Sequence, residues 1–149
     1  CDVRVDATDG GDVSNSAEIR WKQRFENFEK ALSQLESASQ LGRYSDLERA
    51  GLVQMFEFSF ELSWKTLKDL LYFEGYDVKT PREVIRKAFE VALLDEDDAE
   101  IFLDALNKRN LLSHTYEVAA ALEAEALITR QYAPLFRRLH GALERKRHP

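Results

Sequence analysis

The chain has one cysteine, and it is the first of 149 residues. An internal disulfide cannot form within it, and no cysteine-based metal site can be assembled. Only three prolines and six glycines are present, so there are few points at which a helix is forced to stop. Strand-like alternation persists nowhere along the chain. No apolar run approaches the roughly 20 residues that span a bilayer, which predicts no membrane segment. Residues 1–15 contain several Asp and Gly and lack the apolar stretch of an export signal, so a cytoplasmic protein is expected. Positive charge is also in short supply: 21 Lys and Arg stand against 27 Asp and Glu, a formal net charge of −6. Such a balance excludes general nucleic-acid binding, which rests on Lys and Arg. Any contact with RNA must be local, or a partner protein must add the positive charge.

The remaining composition, 44% hydrophobic and 32% charged, suits one soluble domain with a real core. Residues 1–15 read as a flexible tail rich in Asp, Gly, Ser and Asn, and residues 16–149 as a helical bundle domain. The first helix is expected to start at Asn15, with Glu18 as its capping-box partner. Trp21, Phe25, Phe28, Leu32 and Leu35 then form one apolar stripe. A second capping box, Ser45 to Glu48, opens the longest helix, which runs to about Phe73. Its apolar residues occupy most of the circumference. In a domain of this size that pattern favours a helix shared with a second subunit over a fully internal one.

Gly75 ends this helix. Thr80-Pro81-Arg82-Glu83 combines a cap, a proline at the first helical position and a glutamate three after the cap, and so starts a short third helix. Asp95-Glu96-Asp97-Asp98 places negative charge where the dipole of a fourth helix favours it. A fifth begins near 115–117, and Pro134 should kink it. The expected fold is all-α: an up-and-down four-helix bundle with one additional short helix, dimerising through the bundle.

The segment Arg109-Asn110-Leu111-Leu112-Ser113-His114-Thr115-Tyr116 holds an arginine, a histidine and a tyrosine at the spacing R-x4-H-x-Y. Arginine is a permanent cation that grips phosphate through two N–H groups. Histidine gives and takes protons near neutral pH. Tyrosine carries a phenol that can accept a group. These suit phosphodiester chemistry without a metal. On an ideal helix Arg109 and Tyr116 lie about 20° apart, whereas His114 sits about 140° from Arg109. Either the helix ends near Ser113, so that His114 turns at the junction, or two copies of the segment meet across a two-fold axis. Cleavage of RNA by its own 2′-hydroxyl needs a base for that proton and an acid for the leaving 5′-oxygen. Two copies of His114 supply both, and two of Arg109 neutralise the developing charge. Asn110 adds a hydrogen bond to phosphate or orients His114. Taken singly, each residue is ordinary: a histidine at a helix end is often solvated, an arginine is often a surface ion-pair partner, and a tyrosine is often half-buried.

With its H-T-Y ending and the Asn after Arg, this motif resembles the signature of the HEPN superfamily and, within it, the HepT-like nucleotidyltransferase substrate-binding proteins. Phe56-Glu57-Phe58…Glu61-Leu62-Ser63-Trp64-Lys65 and Thr80-Pro81-Arg82-Glu83-Val84-Ile85-Arg86-Lys87-Ala88 resemble two further family segments, so that the likeness covers roughly residues 20–140. The resemblance implies a dimeric helical bundle with the signature at the interface. It implies the toxin of a toxin–antitoxin pair, a metal-independent ribonuclease with Arg109 and His114 as catalytic residues. The implied partner is an MNT-type nucleotidyltransferase antitoxin that transfers AMP from ATP to Tyr116, adding bulk and negative charge beside the site. No cofactor is implied. Lys108 stands where relatives often carry an acidic residue, which makes the local field more positive.

Other groupings read more plainly. Glu57, Glu61 and Lys65 have the spacing of an i,i+4 ladder, with Glu61 or Lys65 bordering the site as the alternative. Arg82, Arg86 and Lys87 suit either RNA phosphates or solvent. Asp95 to Asp98 lacks the pattern of a calcium loop. His140 and His148 are too isolated in sequence for a metal site. The leading reading is therefore a ribonuclease toxin. A non-catalytic substrate-binding subunit of a small nucleotidyltransferase is a second reading, and a plain helical dimerisation module a third.

Overall fold

The computed structural model describes residues 2–114 and 117–149, with side chains from residue 15 onward within these ranges. Every regular element among them is helical. In chain order they are α1 (Asp2–Ala38), α2 (Asp46–Phe73), α3 (Pro81–Glu90), α4 (Glu96–His114), α5 (Val118–Leu127), a π-helical turn (Ile128–Tyr132) and α6 (Ala133–Arg147). The last three form one continuous rod, because the residues at both joints keep right-handed helical backbone angles. Strands are absent among the described residues.

The starts of α2, α3 and α4 follow the local chemistry. Ser45 Oγ accepts the Glu48 N–H at 3.1 Å, and Glu48 Oε1 accepts the Ser45 N–H at 2.9 Å. This reciprocal capping box satisfies two donors that the first turn of α2 would otherwise leave unpaired. Thr80 Oγ1 accepts the Glu83 N–H at 3.2 Å, and Pro81 follows it at the start of α3. Asp95 Oδ1 accepts the Asp98 N–H at 2.8 Å and opens α4. Asn15 does not start a helix: it lies inside α1, which already begins at Asp2. A capping residue supplies an alternative to the helix but does not compel it, and a helix already formed extends at one hydrogen bond per residue. The turn after α2 uses Gly75 at φ +100, a left-handed conformation that costs glycine little.

One aromatic cluster joins the rods. Phe28 of α1, Phe56 and Phe60 of α2, Phe102 of α4, Tyr132 of the π turn and Phe136 of α6 are all buried. Phe56 stacks on Tyr132 at 5.2 Å, Phe60 meets Phe102 edge-on at 5.5 Å, and Phe136 lies 6.1 Å from Phe28 and 6.2 Å from Phe102. Truncating a buried ring of this kind to Ala costs about 3–5 kcal/mol. The Tyr132 hydroxyl donates to Asp104 Oδ2 at 2.5 Å. Burial and this hydrogen bond push the phenol pKa far up, so the ring stays neutral within the core.

The nearly all-round apolar character of α2 has an explanation within one chain. The helix packs against α1, α3, α4 and α5. Leu52, Val53, Phe56, Phe60, Trp64, Leu67, Leu70 and Leu71 are thereby buried without a second subunit. Part of the pattern is left over: Leu47, Met55, Phe58 and Tyr72 are exposed, Phe58 to 62%. The expected kink in the last rod takes the form of the π turn. Pro134 has no N–H to close an α-helical bond, and the preceding Ala133 N–H instead reaches back to the Ile128 carbonyl. The cost is one wider turn.

Candidate functional site

Arg109 lies in the last two turns of α4 and packs its guanidinium over Phe60 of α2, 5.7 Å from the ring centroid. Its Nη2 donates to Glu61 Oε1, and its Nη1 donates to Asn110 Oδ1 at 3.0 Å. The other oxygen of Glu61 is also engaged: Oε2 accepts the Trp64 indole N–H at 2.9 Å. Trp64 is itself buried. A carboxylate anchored through one oxygen to a core indole thus presents its second oxygen to the arginine.

These groups border a shallow depression of about 320 Å³ lined by Gln54, Glu57, Phe58, Glu61, Arg109 and Ser113. Ser113 Oγ donates back to the Arg109 carbonyl at 2.9 Å, one turn earlier. Glu57 is half-buried at the edge of the depression. Burial pushes its carboxyl above the usual carboxylate range, and the nearby charge of Arg109 opposes this in part. A second, wholly uncharged groove adjoins the depression through Gln54 and Phe58. It runs between α1 and α2 and is lined by Ala31, Gln34, Gly51, Gln54, Met55 and Phe58.

The sequence-predicted residues are brought together only in part. Arg109 and Asn110 are in direct contact through Asn110 Oδ1. His114 is the last residue of α4 and is exposed. It does not line the depression among the described residues. Among the described residues, the hydrogen bonds of Arg109 run to Glu61 and Asn110 and not to His114. Tyr116 and Thr115 lie outside the described residues. Glu117 caps α5 in an extended conformation without a side-chain hydrogen bond.

The ladder expected from Glu57, Glu61 and Lys65 does not form. Glu61 turns to Arg109 and Trp64, and Lys65 has no ion pair among the described residues. The alternative reading of Glu61 fits instead, since it lines the depression with Arg109; its pairing with Arg109 has no local signal, although the Glu61-x-x-Trp64 spacing places carboxylate and indole on one helix face. Lys108 pairs with Glu123 at 3.0 Å, which tempers the extra positive charge expected beside Arg109. Lys87 pairs with Glu90 at 2.8 Å and lies over the Tyr76 ring, while Arg86 is exposed.

His140 is less isolated than its sequence position implies. Glu29 of α1 and Glu144 of α6 bring their ligand atoms to within 4.8 Å of its imidazole and of each other. Two arginines already occupy this cluster. Arg137 Nη1 lies 3.4 Å from His140 Nδ1, and Arg147 Nη2 lies 2.5 Å from Glu144 and 4.0 Å from Glu29. On its other side His140 Nε2 lies 2.6 Å from Glu29 Oε2. The cluster is an ion-pair knot that ties α6 to α1.

A helical domain with a polar site at the end of one helix defines only a broad class, and comparison narrows it. A family model described as "Nucleotidyltransferase substrate binding protein like" matches residues 23–145, and the chain belongs to that family. This accords with the HepT-like resemblance of the sequence. The chain is similar to a protein of Thermus thermophilus whose crystal structure is known. The identity is 36%, over 78% of this chain and 98% of that one, with a TM-score of 0.73. No curated protein matches. No described helix is long and apolar enough to cross a membrane.

Proposed function

We propose that this chain is the toxin of a two-component toxin–antitoxin pair and cleaves RNA without a metal. The observation that carries this reading is the setting of Arg109, which is held over Phe60 at the edge of an open depression while His114 stands exposed five residues on. In this reading two copies, each a four-helix bundle with α3 as the additional short helix, complete the site as a homodimer. The uncharged groove between α1 and α2 suits contact with a second copy, and it runs directly into the depression.

In the dimer, the imidazole of one His114 takes the proton from the 2′-hydroxyl. The 2′-oxygen attacks phosphorus, and the bond to the 5′-oxygen breaks. The His114 of the other copy gives that oxygen a proton, leaving a 2′,3′-cyclic phosphate and a 5′-hydroxyl. The two Arg109 side chains hold the negative charge that builds on the equatorial oxygens. Asn110 supports this by holding Arg109 in place. An MNT-type nucleotidyltransferase neutralises the toxin by transferring AMP to the Tyr116 oxygen with release of pyrophosphate. The new phosphodiester repels RNA.

Purified protein should cleave RNA in the presence of EDTA and leave cyclic phosphate ends, and His114→Ala should abolish cleavage with an unchanged circular dichroism spectrum. Equal inertness of both proteins on varied RNAs would remove the ribonuclease. Incubation with the cognate nucleotidyltransferase and ATP should raise the intact mass by whole AMP units, and a Tyr116→Phe protein that gains the same mass would place the acceptor elsewhere. A second reading, a non-catalytic subunit that presents a substrate to the nucleotidyltransferase, is favoured by the family's description and by the hydrogen bonds of Arg109, which among the described residues do not reach His114. It accommodates inertness toward RNA but still requires binding of the nucleotidyltransferase.

A further inference from the structure

We infer that Glu61 is a positioning residue for Arg109, fixing the plane in which the guanidinium meets a phosphodiester. The inference rests on the phosphodiester reading of the site above. Arg109 carries a long stem with many rotamers, and a guanidinium binds phosphate well only when its planar fork is aimed. Two elements supply that aim. From α2 come the Phe60 face, 5.7 Å below the guanidinium, and the Glu61 Oε1 acceptor. From α4 comes Asn110 Oδ1 at 3.0 Å.

Glu61 is itself fixed, because Oε2 is tied at 2.9 Å to the indole of buried Trp64. The order of contacts is therefore core indole, carboxylate, guanidinium, depression. Each of the two carboxylate oxygens has its own partner.

The alternative is that Glu61 locks Arg109 away from RNA. The geometry favours positioning for two reasons. Among the described residues, the contacts of Arg109 engage two of its N–H groups, and a guanidinium has five, which leaves three for phosphate. The paired guanidinium also still lines the depression beside Ser113, so pairing does not withdraw it. A group held within a fraction of an ångström of its working place acts mainly on the rate of the bound substrate, and a displacement of about 1 Å costs about a hundredfold.

The test compares Glu61→Gln and Glu61→Ala with wild type on an RNA that the wild type cleaves. Gln keeps one acceptor oxygen and puts an NH2 donor where the second oxygen faced the indole N–H or the guanidinium, so one of the two contacts is lost and kcat should fall about tenfold. Ala removes both contacts and should lower kcat about a hundredfold. KM should change little in either variant, and a structural role alone would not produce that split. Faster cleavage or a lower KM in Glu61→Ala would identify a lock and overturn the inference, as would an unchanged kcat. Circular dichroism checks folding, and the milder Gln variant keeps the test decisive if Ala unfolds the protein.

A readout independent of cleavage comes from side-chain NMR of 15N-labelled protein. Both variants should shift the Trp64 indole N–H, and Ala should average the Arg109 Nη protons. If neither signal moves, the positioning contact is absent and the inference fails, whatever the activity. If the signals move but wild type is inert on RNA, Glu61 still orders Arg109 and only the ribonuclease reading falls.

Discussion

Two arginines of this protein have almost the same surroundings and opposite characters. Arg109 lies over Phe60 with Glu61 as its carboxylate, and Arg147 lies over Phe25, 4.7 Å from the ring centroid, with Glu144 as its carboxylate. A histidine stands near each in sequence: His114 five residues after Arg109, and His140 seven before Arg147. The difference is what remains open. Around Arg147 the second carboxylate, from Glu29, closes in. The imidazole of His140 is spent on that same Glu29, and Arg147 Nε is buried with no partner among the described residues. Around Arg109 there is one paired carboxylate, an exposed imidazole at the helix end and a depression of about 320 Å³. A cation–π contact and an ion pair therefore do not mark a site by themselves. What sets Arg109 apart is that it lines an open depression.

The largest expected effect separates the two arginines. Arg109→Ala should lower RNA cleavage by about a hundredfold or more, the usual cost of removing a donor to developing charge, and lower Tm by about 2–4 °C, because it removes the guanidinium over Phe60 and the partner of Glu61. Arg147→Ala should leave cleavage within about twofold and lower Tm by about 2–4 °C, because it removes the stacked stem over Phe25 and the partner of Glu144. Single-turnover cleavage assays and thermal melts of both variants measure this. Loss of cleavage in Arg147→Ala at constant Tm would erase the distinction.

The same contrast bears on what can be read without coordinates. The caps at Ser45 and Thr80 are legible because a cap is a local event, settled within four residues. The core stripe of α1 is legible because apolar residues at steps of three and four have one physical explanation. Arg109 and His114 are legible as a pair of residue types, and their separation around the helix follows from the angle per residue. The Arg109–Glu61 contact is not, since it joins positions 48 apart on two helices. For the same reason His140 looks isolated: its carboxylate partner Glu29 is 111 residues away. The central place of α2 escapes the sequence because a flanking short helix, α3, and the α5 rod cover faces that a simple bundle would leave bare. Asn15 fails as a helix start because its side chain offers a stop without enforcing one.

The smallest expected effect is also the sharpest, since the two sites should respond with opposite signs. Burial holds the Glu57 carboxyl above its ordinary range, whereas the hydrogen bond from Arg147 holds Glu144 below it. A carboxyl with a raised folded pKa contributes most in acid, below its unfolded value of about 4.3, and that contribution is lost as pH rises through the folded value. One with a lowered folded pKa contributes above the unfolded value and loses that contribution as pH falls through the folded one. Replacing either by glutamine removes the titration. At pH 7, Glu57→Gln should melt about 1 °C above wild type and Glu144→Gln about 1 °C below it. Both differences should shrink toward zero as the pH is lowered to about 3. Melts of the two variants from about pH 3 to pH 7 measure the signs. A Glu57→Gln protein less stable than wild type at neutral pH would mean that the carboxylate at the depression is held by a favourable partner, and the two regions would then be alike in kind.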